Sequence, residues 1–363
     1  MGFKCGLVGL PNVGKSTIFN ALTAQQVDAS NYPFCTIDPN IGIVTLKDDR
    51  LDNIAKIVGS PKVSYTTLEF IDIAGLVKGA SHGEGLGNQF LNYIQRVDAI
   101  AHVVRCFEDE NVAHTSAELD PVNDVEVVIT ELILKDLEIV ERRISKIRQA
   151  AKSGDSELKR QFEELDEIQN QLSKGIPLKK MKLSEAAREI IQEMNLLTIK
   201  PAIFIANVDE ANQKNNPYAS ALKNYADSQN EPFVLICGKL QEEIAQLDKE
   251  SQKEFLSELG LNESGLDKIV RAGYDVLQLV TFFTANENEA HAWTISQGTT
   301  VQRAAGKVHT DFEKGFIKAE VIKYRDLIEV GSDKEVRHRG LMEIHGKDYI
   351  VQDGDLIFFH AHH

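Results

Sequence analysis

The chain contains few cysteines, and none of them are paired. Cys5, Cys35, Cys106 and Cys237 are scattered through the 363 residues and form no CxxC motif. A disulfide framework is therefore not indicated, and the simplest interpretation is a protein with free thiols in a reducing cytoplasm. Cys35 alone lies in a region expected to be a mobile loop, where exposure of its thiol would allow a redox role.

Long apolar runs and an excess of positive charge are also missing. No apolar stretch reaches the roughly 18 residues that a membrane span needs. The run Met1–Lys4 leads into a strand-like segment rather than a signal peptide, and Gly6 stands where a myristoylation motif needs Ser or Thr. The net charge of −15 argues against a protein that coats DNA through bulk positive charge. We therefore expect a cytoplasmic protein with no membrane partner.

Five short apolar runs are separated by helical patterns, which is typical of a parallel sheet covered on both faces. They are Lys4–Val8, Leu68–Ile73, Ala99–Val104, Ala202–Ala206 and Phe233–Ile236. The pattern predicts an α/β, doubly wound fold. A chain of this length also exceeds one ordinary core, so we expect further domains.

Two segments differ in residue pattern from this sheet-forming part. Between 130 and 199, apolar residues recur at helical spacings of three and four on both sides of a break at Ser153–Asp155, which predicts an inserted antiparallel coiled-coil hairpin. Its predicted seam consists of Ile133, Leu137, Val140, Ile144, Ile147, Leu158, Phe162, Leu165, Ile168 and Leu172. From 278 to 363, β-rich segments alternate with glycines and one short helical stretch, Thr300–Ala305, which predicts a small α+β domain. The sheet-forming domain then comprises 1–129 and 200–277.

The segment Gly9–Ser16 fits G-x-x-x-x-G-K-[ST] without a gap, between a predicted strand and a predicted helix. Its glycines allow successive backbone N–H groups to face a phosphate, and the helix adds its positive end. Lys15 should reach the β- and γ-phosphates, and the Ser16 hydroxyl should bind Mg²⁺. The neighbouring nucleotide contacts are Asn12, Val13, Gly14 and Thr17. The sequence thus predicts a P-loop nucleoside triphosphatase.

Two further elements are expected to complete the phosphate site. Asp72 ends a strand and begins a D-x-x-G element, so its carboxylate would hold Mg²⁺ and the Gly75 amide would sense the γ-phosphate. Thr36 lies on the connection that follows the first helix. A threonine there can complete the Mg²⁺ shell and order its loop when the γ-phosphate is present.

The element that reads the base departs from the guanine-specific pattern N-K-x-D. The chain has Asn207, Val208, Asp209 and Glu210 in its place. Because glutamate is one methylene longer than aspartate, Glu210 would not reproduce the paired hydrogen bonds to guanine, and adenine becomes plausible. Asn207 could still contact the base, and backbone groups near Val208 and in the Cys237–Gly238 loop could frame it. A shift in register that lets Asp209 read guanine remains an alternative.

The glutamine that positions the attacking water in many GTPases is absent from this sequence. The residue after the D-x-x-G element is Leu76, which cannot hydrogen-bond the attacking water, so intrinsic turnover should be slow or another group must act. His82 and His114 are the candidates, since both lie in segments expected to move with the γ-phosphate.

These motifs together resemble the YchF/Obg-like ATPases, a branch of the translation-factor-class GTPases. The resemblance covers essentially the whole chain. It is carried by the phosphate loop with Pro11–Val13, by Tyr32–Asn40, Asp72–Ala80 and Asn207–Glu210, and by Phe312–Ile317 and Asp353–Asp355 in the last domain. The last two segments are similar to the TGS module, a β-grasp fold.

The resemblance implies an ATPase that prefers ATP to GTP, with Lys15 and a mobile histidine, matched here by His114, acting in hydrolysis. It implies that Asn12 matches an asparagine that helps to hold K⁺ near the phosphates. It also implies association with ribosomes and RNA through the coiled coil and the TGS domain. The hairpin carries no net charge and the last domain carries −3, so both are far less acidic than the remainder. We expect a monomer.

Two alternatives stay open. One is a conventional GTPase. The other is a nucleotide-gated RNA-binding adaptor with negligible turnover, an alternative that stays open because Leu76 cannot hydrogen-bond the attacking water.

Overall fold

The computed structural model describes residues 3–24, 40–73, 93–108, 118–152, 156–211, 215–261 and 263–362. They fall into two compact units. The P-loop unit contains Phe3–Gly42 and Glu69–Gly273, and the C-terminal unit contains Ile43–Leu68 and Tyr274–His363. The C-terminal unit is thus built from two separate stretches of chain.

Strands and helices alternate through most of the described chain. The first part contains β1 (Phe3–Val8), α1 (Lys15–Ala24), β2 (Ile41–Leu46), α2 (Asp49–Val58), β3 (Lys62–Ser64), β4 (Thr66–Asp72), β5 (Ala99–Arg105), α3 (Pro121–Lys152) and α4 (Ser156–Ser173). The middle contains a 3-10 turn (Leu178–Lys180), α5 (Glu185–Met194), β6 (Ala202–Asn207), α6 (Pro217–Gln229), β7 (Phe233–Ile236), α7 (Gly238–Ala245), α8 (Lys249–Glu258) and α9 (Gly265–Val276). The last part contains β8 (Leu279–Ala285), β9 (Glu289–Ser296), α10 (Val301–Val308), α11 (Thr310–Lys314), β10 (Phe316–Lys323), α12 (Tyr324–Val330), α13 (Asp333–His338), β11 (Glu343–His345) and β12 (Asp355–Ala361).

The first sheet has the strand order β2-β4-β1-β5-β6-β7. The pairs β1–β5, β5–β6 and β6–β7 are parallel. Every residue of β5 and β6 is buried, as expected for central strands with helices on both faces. The doubly wound α/β prediction is confirmed. Parallel pairing also brings the carboxyl ends of these strands to one edge, where ligands bind in such folds.

A long helical hairpin, formed by α3 and α4, is inserted between β5 and β6. Its predicted seam packs together, with Ile144, Leu165 and Ile168 among the buried residues. The helix α3 begins at Pro121, before the seam, because the Asp120 carboxylate accepts hydrogen bonds from the first free backbone N–H groups. Although α3 has 32 residues, neither it nor any other helix in the described ranges is long and apolar enough to cross a membrane.

The second sheet has the order β11-β10-β12-β8-β9-β3. Its outer strand β3 comes from the early stretch of chain and runs parallel to β9. The helix α2 buries Leu51 and Ile54 in the same core as Phe283. Asp48 caps the beginning of α2, and Gly59 ends it at a φ of 83°. Sequence analysis did not anticipate α2 or β3.

The helix content predicted for the last domain was wrong. One stretch, Thr300–Ala305, was expected, whereas α10 extends from Val301 to Val308 and three further short helices follow it. These three helices have five to seven residues each, and only Leu327 and Val336 are buried among them. Segments so short complete too few turns for a helical periodicity to be visible in the sequence.

Candidate nucleotide-binding site

The loop between β1 and α1 follows a path that permits only glycine at two of its positions. A Cβ on Gly9 would collide with the carbonyl oxygen of Val103, and one on Gly14 would collide with the side-chain amide of Asn207. Gly14 has a φ of 87° and Asn12 a φ of 63°, both in the left-handed region. The two motif glycines are therefore required by close backbone approach and by conformation.

Lys15 and Ser16, at the beginning of α1, meet Asp72, at the end of β4. Lys15 Nζ lies 2.5 Å from Asp72 Oδ1, and Ser16 Oγ donates a hydrogen bond of 3.3 Å to Asp72 Oδ2. The ammonium is largely buried, with 7% of Lys15 exposed. Hydroxyl and carboxylate oxygens are ligands that Mg²⁺ prefers. The structure thus brings together three residues that the sequence pattern had assigned to phosphate and Mg²⁺ separately.

Asn207 connects this loop to the next one along the sheet edge. Its Nδ2 donates to the Val13 carbonyl oxygen at 2.9 Å, and its Oδ1 accepts from the Gly238 backbone N–H at 2.9 Å. The side chain is 5% exposed. Because both ends of the amide are engaged within the protein, Asn207 holds Val13 and Gly238 in place. Sequence analysis gave it only a contact with the base.

A cavity of about 1040 Å³ opens beside these residues. It is lined by Leu10, Pro11, Asn12, Gly14, Lys15, Ser16, Thr17, Phe107, Glu108, Asn207, Val208, Asp209, Glu210, Ala211, Cys237, Lys239, Leu240 and Glu243. It joins the phosphate loop to the segments after β6 and β7, as a nucleotide site at the carboxyl edge of a parallel sheet requires. Most of the sequence-predicted contacts in the described ranges therefore share one cavity, with Val13, Gly238 and Asp72 adjoining it.

Phe107 and Glu108 are lining residues that sequence analysis missed. The buried Arg105 side chain donates from Nε to the Phe107 carbonyl oxygen at 3.0 Å, and its guanidinium lies 4.8 Å from the centre of the Phe107 ring. Tyr218 donates from its hydroxyl to Glu108 at 2.6 Å. Their place in the sequence could have identified them, since they follow the end of β5 closely and so reach the same sheet edge.

The base-reading segment places its residues in different surroundings. Val208 is 2% exposed and packs in the core with Phe204 and Cys237. A base can therefore reach the backbone at this position rather than the side chain. Asp209 is half-buried and Glu210 is exposed, and both line the cavity.

The described cysteines are buried and un-ionised near neutral pH. Burial raises the pKa of Cys5 and of Cys106 to about 12, with nearby aspartates adding to the shift. Burial also raises the pKa of Cys237, which directly precedes α7 beside the cavity. These thiols are therefore unreactive in this conformation.

Several predicted residues lie outside the described ranges. They are Thr36, Gly75, Leu76, His82, His114 and Cys35. The proposed roles of these residues stay predictions.

Comparison with known proteins agrees with this geometry. Residues 4–140 match a family described as a 50S ribosome-binding GTPase, and residues 279–362 match the C-terminal domain of the YchF GTPases, described as a protein of unknown function. The chain is 49% identical over 359 residues to the "Ribosome-binding ATPase YchF" of Escherichia coli O157:H7, covering 99% of each protein. It is 45% identical over 362 residues to the protein of that name from Bacillus subtilis, again covering 99% of each.

Solved structures give the same result. The YchF GTPase of Schizosaccharomyces pombe superimposes with a TM-score of 0.88 at 34% identity, covering 99% of this chain and 98% of that one. A GTP-binding protein from Pyrococcus horikoshii shares the fold, with a TM-score of 0.63 at 19% identity, covering 99% of this chain and 100% of that one. The resemblance noted from the motifs is confirmed: the chain belongs to the YchF family of P-loop nucleoside triphosphatases.

Proposed function

We propose that this protein is an ATP-binding and ATP-hydrolysing switch that associates with the ribosome. The observation that carries the proposal is the group formed by Lys15, Ser16 and Asp72 beside a cavity of about 1040 Å³, which Lys15 and Ser16 line. The curated relatives carry the name ribosome-binding ATPase, which supports both halves of the proposal.

In the proposed complex, Ser16 and Asp72 would hold Mg²⁺ together with Thr36. Bound Mg²⁺ neutralises charge that develops on the phosphate oxygens. With nucleotide bound, the Lys15 ammonium would contact the β- and γ-phosphates and the Asp72 carboxylate would serve as a ligand of the ion, so the Lys15–Asp72 contact would open. The switch therefore exchanges an internal ion pair for contacts to the ligand. Gly75 follows Asp72 closely in the chain and would report the γ-phosphate.

We further propose that the cavity selects adenine over guanine. The carboxylate at position 210 is exposed and one methylene longer than the aspartate that reads guanine, and the Asn207 amide already bonds Val13 and Gly238. The ring would be framed by backbone near Val208 and by the Cys237–Gly238 turn. A conventional GTPase is the competing function.

Competing titrations of a fluorescent nucleotide with ATP and GTP test the base preference. Tighter binding of ATP supports the proposal. Equal or tighter binding of GTP contradicts the assignment and restores the alternative in which Asp209 reads guanine.

Turnover is proposed to depend on His114, with His82 as the alternative, and on K⁺ held beside Asn12. ATP hydrolysis is to be measured for the wild type, His114→Ala and His82→Ala, with and without ribosomes and in K⁺ or Na⁺. We expect His114→Ala to lose turnover while ATP affinity is retained, and His82→Ala to keep both. Loss of turnover in His82→Ala alone assigns the role to His82. Unchanged turnover in His114→Ala removes that role, and negligible turnover of the wild type in every condition favours the adaptor function.

The partners are proposed to be the ribosome and its RNA, contacted through the α3–α4 hairpin as a coiled coil and through the C-terminal unit as a TGS domain. The hairpin carries a basic cluster of Arg142, Arg143, Lys146 and Arg148. It is partly neutralised within the helix, since Arg142 donates to Glu138 at 2.5 Å. We therefore propose that RNA contacts both the hairpin and the C-terminal unit rather than one basic patch. We propose a monomer located in the cytoplasm. Co-sedimentation with ribosomes in the presence of ATP or ADP tests the association directly.

A further inference from the structure

Three aromatic rings form a stacked column on one face of the C-terminal sheet. The Phe282 and Trp293 rings lie 6.4 Å apart at an angle of 17°, and the Trp293 and His291 rings lie 3.9 Å apart at 12°. Phe282 and Trp293 are cross-strand partners in the β8–β9 register. Phe282 is fully buried and anchors the column in the core, while His291 at its other end is 32% exposed.

Polar contacts fix the Trp293 and His291 rings. Trp293 Nε1 donates to Thr284 Oγ1 at 2.9 Å. His291 Nδ1 lies 3.5 Å from Glu289 Oε1, and Ser64 Oγ donates to the same oxygen at 2.5 Å. Burial lowers the pKa of His291, so its ring is neutral at pH 7. The imidazole is therefore a preoriented, uncharged planar surface with little rotational freedom left to lose on binding.

The column ends beside the outer strand of the sheet. His291 pairs with Ser64 of β3, and β3 is the last of the described strands in this sheet. Lys62, on the same face of β3, is 61% exposed and keeps its ammonium 3.2 Å from Glu289. A partly exposed ring with an exposed lysine close by suits single-stranded nucleic acid, because a base stacks on the ring and the ammonium exchanges its surface carboxylate for the phosphate.

We propose that the Phe282–Trp293–His291 column is a stacking platform for one base of single-stranded RNA, with Lys62 contacting the adjoining phosphate. The inference rests on the ribosome association proposed above and assigns an RNA-contacting residue within the C-terminal unit. Duplex RNA is excluded from this platform, since its bases are already stacked within the helix and present no free face.

The chain offers a direct probe, since Trp293 is its only tryptophan. The full-length protein is titrated with a short oligoadenylate while Trp293 emission is recorded. We expect a saturable change in emission with the single strand and none with a duplex of equal length. His291→Ala should bind about tenfold more weakly, within the range for loss of one base–ring stack, whereas His291→Phe should retain binding because the ring is kept. Lys62→Gln should reduce the dependence of affinity on salt.

His345→Ala is the matched control, because His345 also stacks on an aromatic residue, Tyr349, at 3.9 Å, but at a different strand. It should bind the oligonucleotide as the wild type does. The proposal is overturned by an unresponsive Trp293, by equal affinity of His291→Ala, or by equal binding of duplex. Ribosome co-sedimentation separates the two proposals. A wild type that co-sediments but whose Trp293 ignores the oligonucleotide refutes only the platform, and His291-dependent oligonucleotide binding without co-sedimentation refutes only the ribosome association.

Discussion

Replacing Asn207 by alanine should weaken ATP binding although this side chain faces the protein rather than the phosphates. The substitution removes a buried amide that bonds the Val13 carbonyl and the Gly238 N–H, both at 2.9 Å. These bonds join the phosphate loop to the turn after β7. Without them the phosphate loop loses the contact that holds its Val13 carbonyl in place.

The size of the effect follows from the two groups left behind. A buried polar group without a partner costs about 1–3 kcal/mol, so the folded loop becomes less stable by about 2–6 kcal/mol if it keeps its conformation. The free protein avoids part of this cost by letting the loop move, and ATP must then restore the binding conformation. If restoring the binding conformation takes about 2 kcal/mol of the binding free energy, the Kd for ATP rises about 30-fold.

Titration with a fluorescent ATP analogue measures the change in Kd, and urea unfolding measures the change in stability. Asn216→Ala is the matched control, because Asn216 is 6% exposed and also makes two bonds, donating to the Cys106 carbonyl and accepting from Ala219 N–H. We expect both variants to lose stability and only Asn207→Ala to lose phosphate affinity. An Asn207→Ala Kd within twofold of the wild type would refute the bracing role.

Three further predictions concern the base, the pH dependence and the hairpin. Val208→Lys combined with Glu210→Asp should shift affinity towards GTP at least tenfold in competing titrations, because it restores the guanine-reading pattern. Burial lowers the pKa of His102 to about 3. As the pH falls below about 6.5, the ordinary pKa of histidine, His102 takes up a proton in the unfolded chain but not in the folded protein, so stability falls as the pH falls. His102→Phe should abolish about 2 kcal/mol of the loss between about pH 7 and pH 5, measured by hydrogen exchange of the β5 amides. Asp136→Asn should cost about 2–4 kcal/mol in urea unfolding, since its carboxylate accepts three hydrogen bonds from the segment 197–198 and an amide has one acceptor.

The local parts of the site could be predicted because the sequence carries them as contiguous motifs. The loop Gly9–Ser16 carries its glycines, lysine and serine at the fixed spacing that a phosphate-binding loop requires, and the strand and helix beside it follow from apolar periodicity over enough residues. The seam of the α3–α4 hairpin was read in the same way, and its residues pack together as predicted. Such features depend on neighbours within a few turns of chain.

Features that depend on distant partners could not be predicted. The helix α2 has a capping aspartate and a terminating glycine, both visible in the sequence, but nothing local shows that it packs against Phe283 or that β3 pairs with β9. The same holds for Phe107, whose position beside the cavity depends on β5 lying next to β6.

The sequence by itself determined that this protein binds a nucleoside triphosphate, because the glycine spacing and the lysine and serine that follow specify the phosphate loop. The tertiary structure alone decided that the amide of Asn207 braces that loop and that Lys15 pairs with Asp72. Both contacts join residues far apart in the chain, and they form only when the first sheet brings the ends of β4 and β6 beside the phosphate loop.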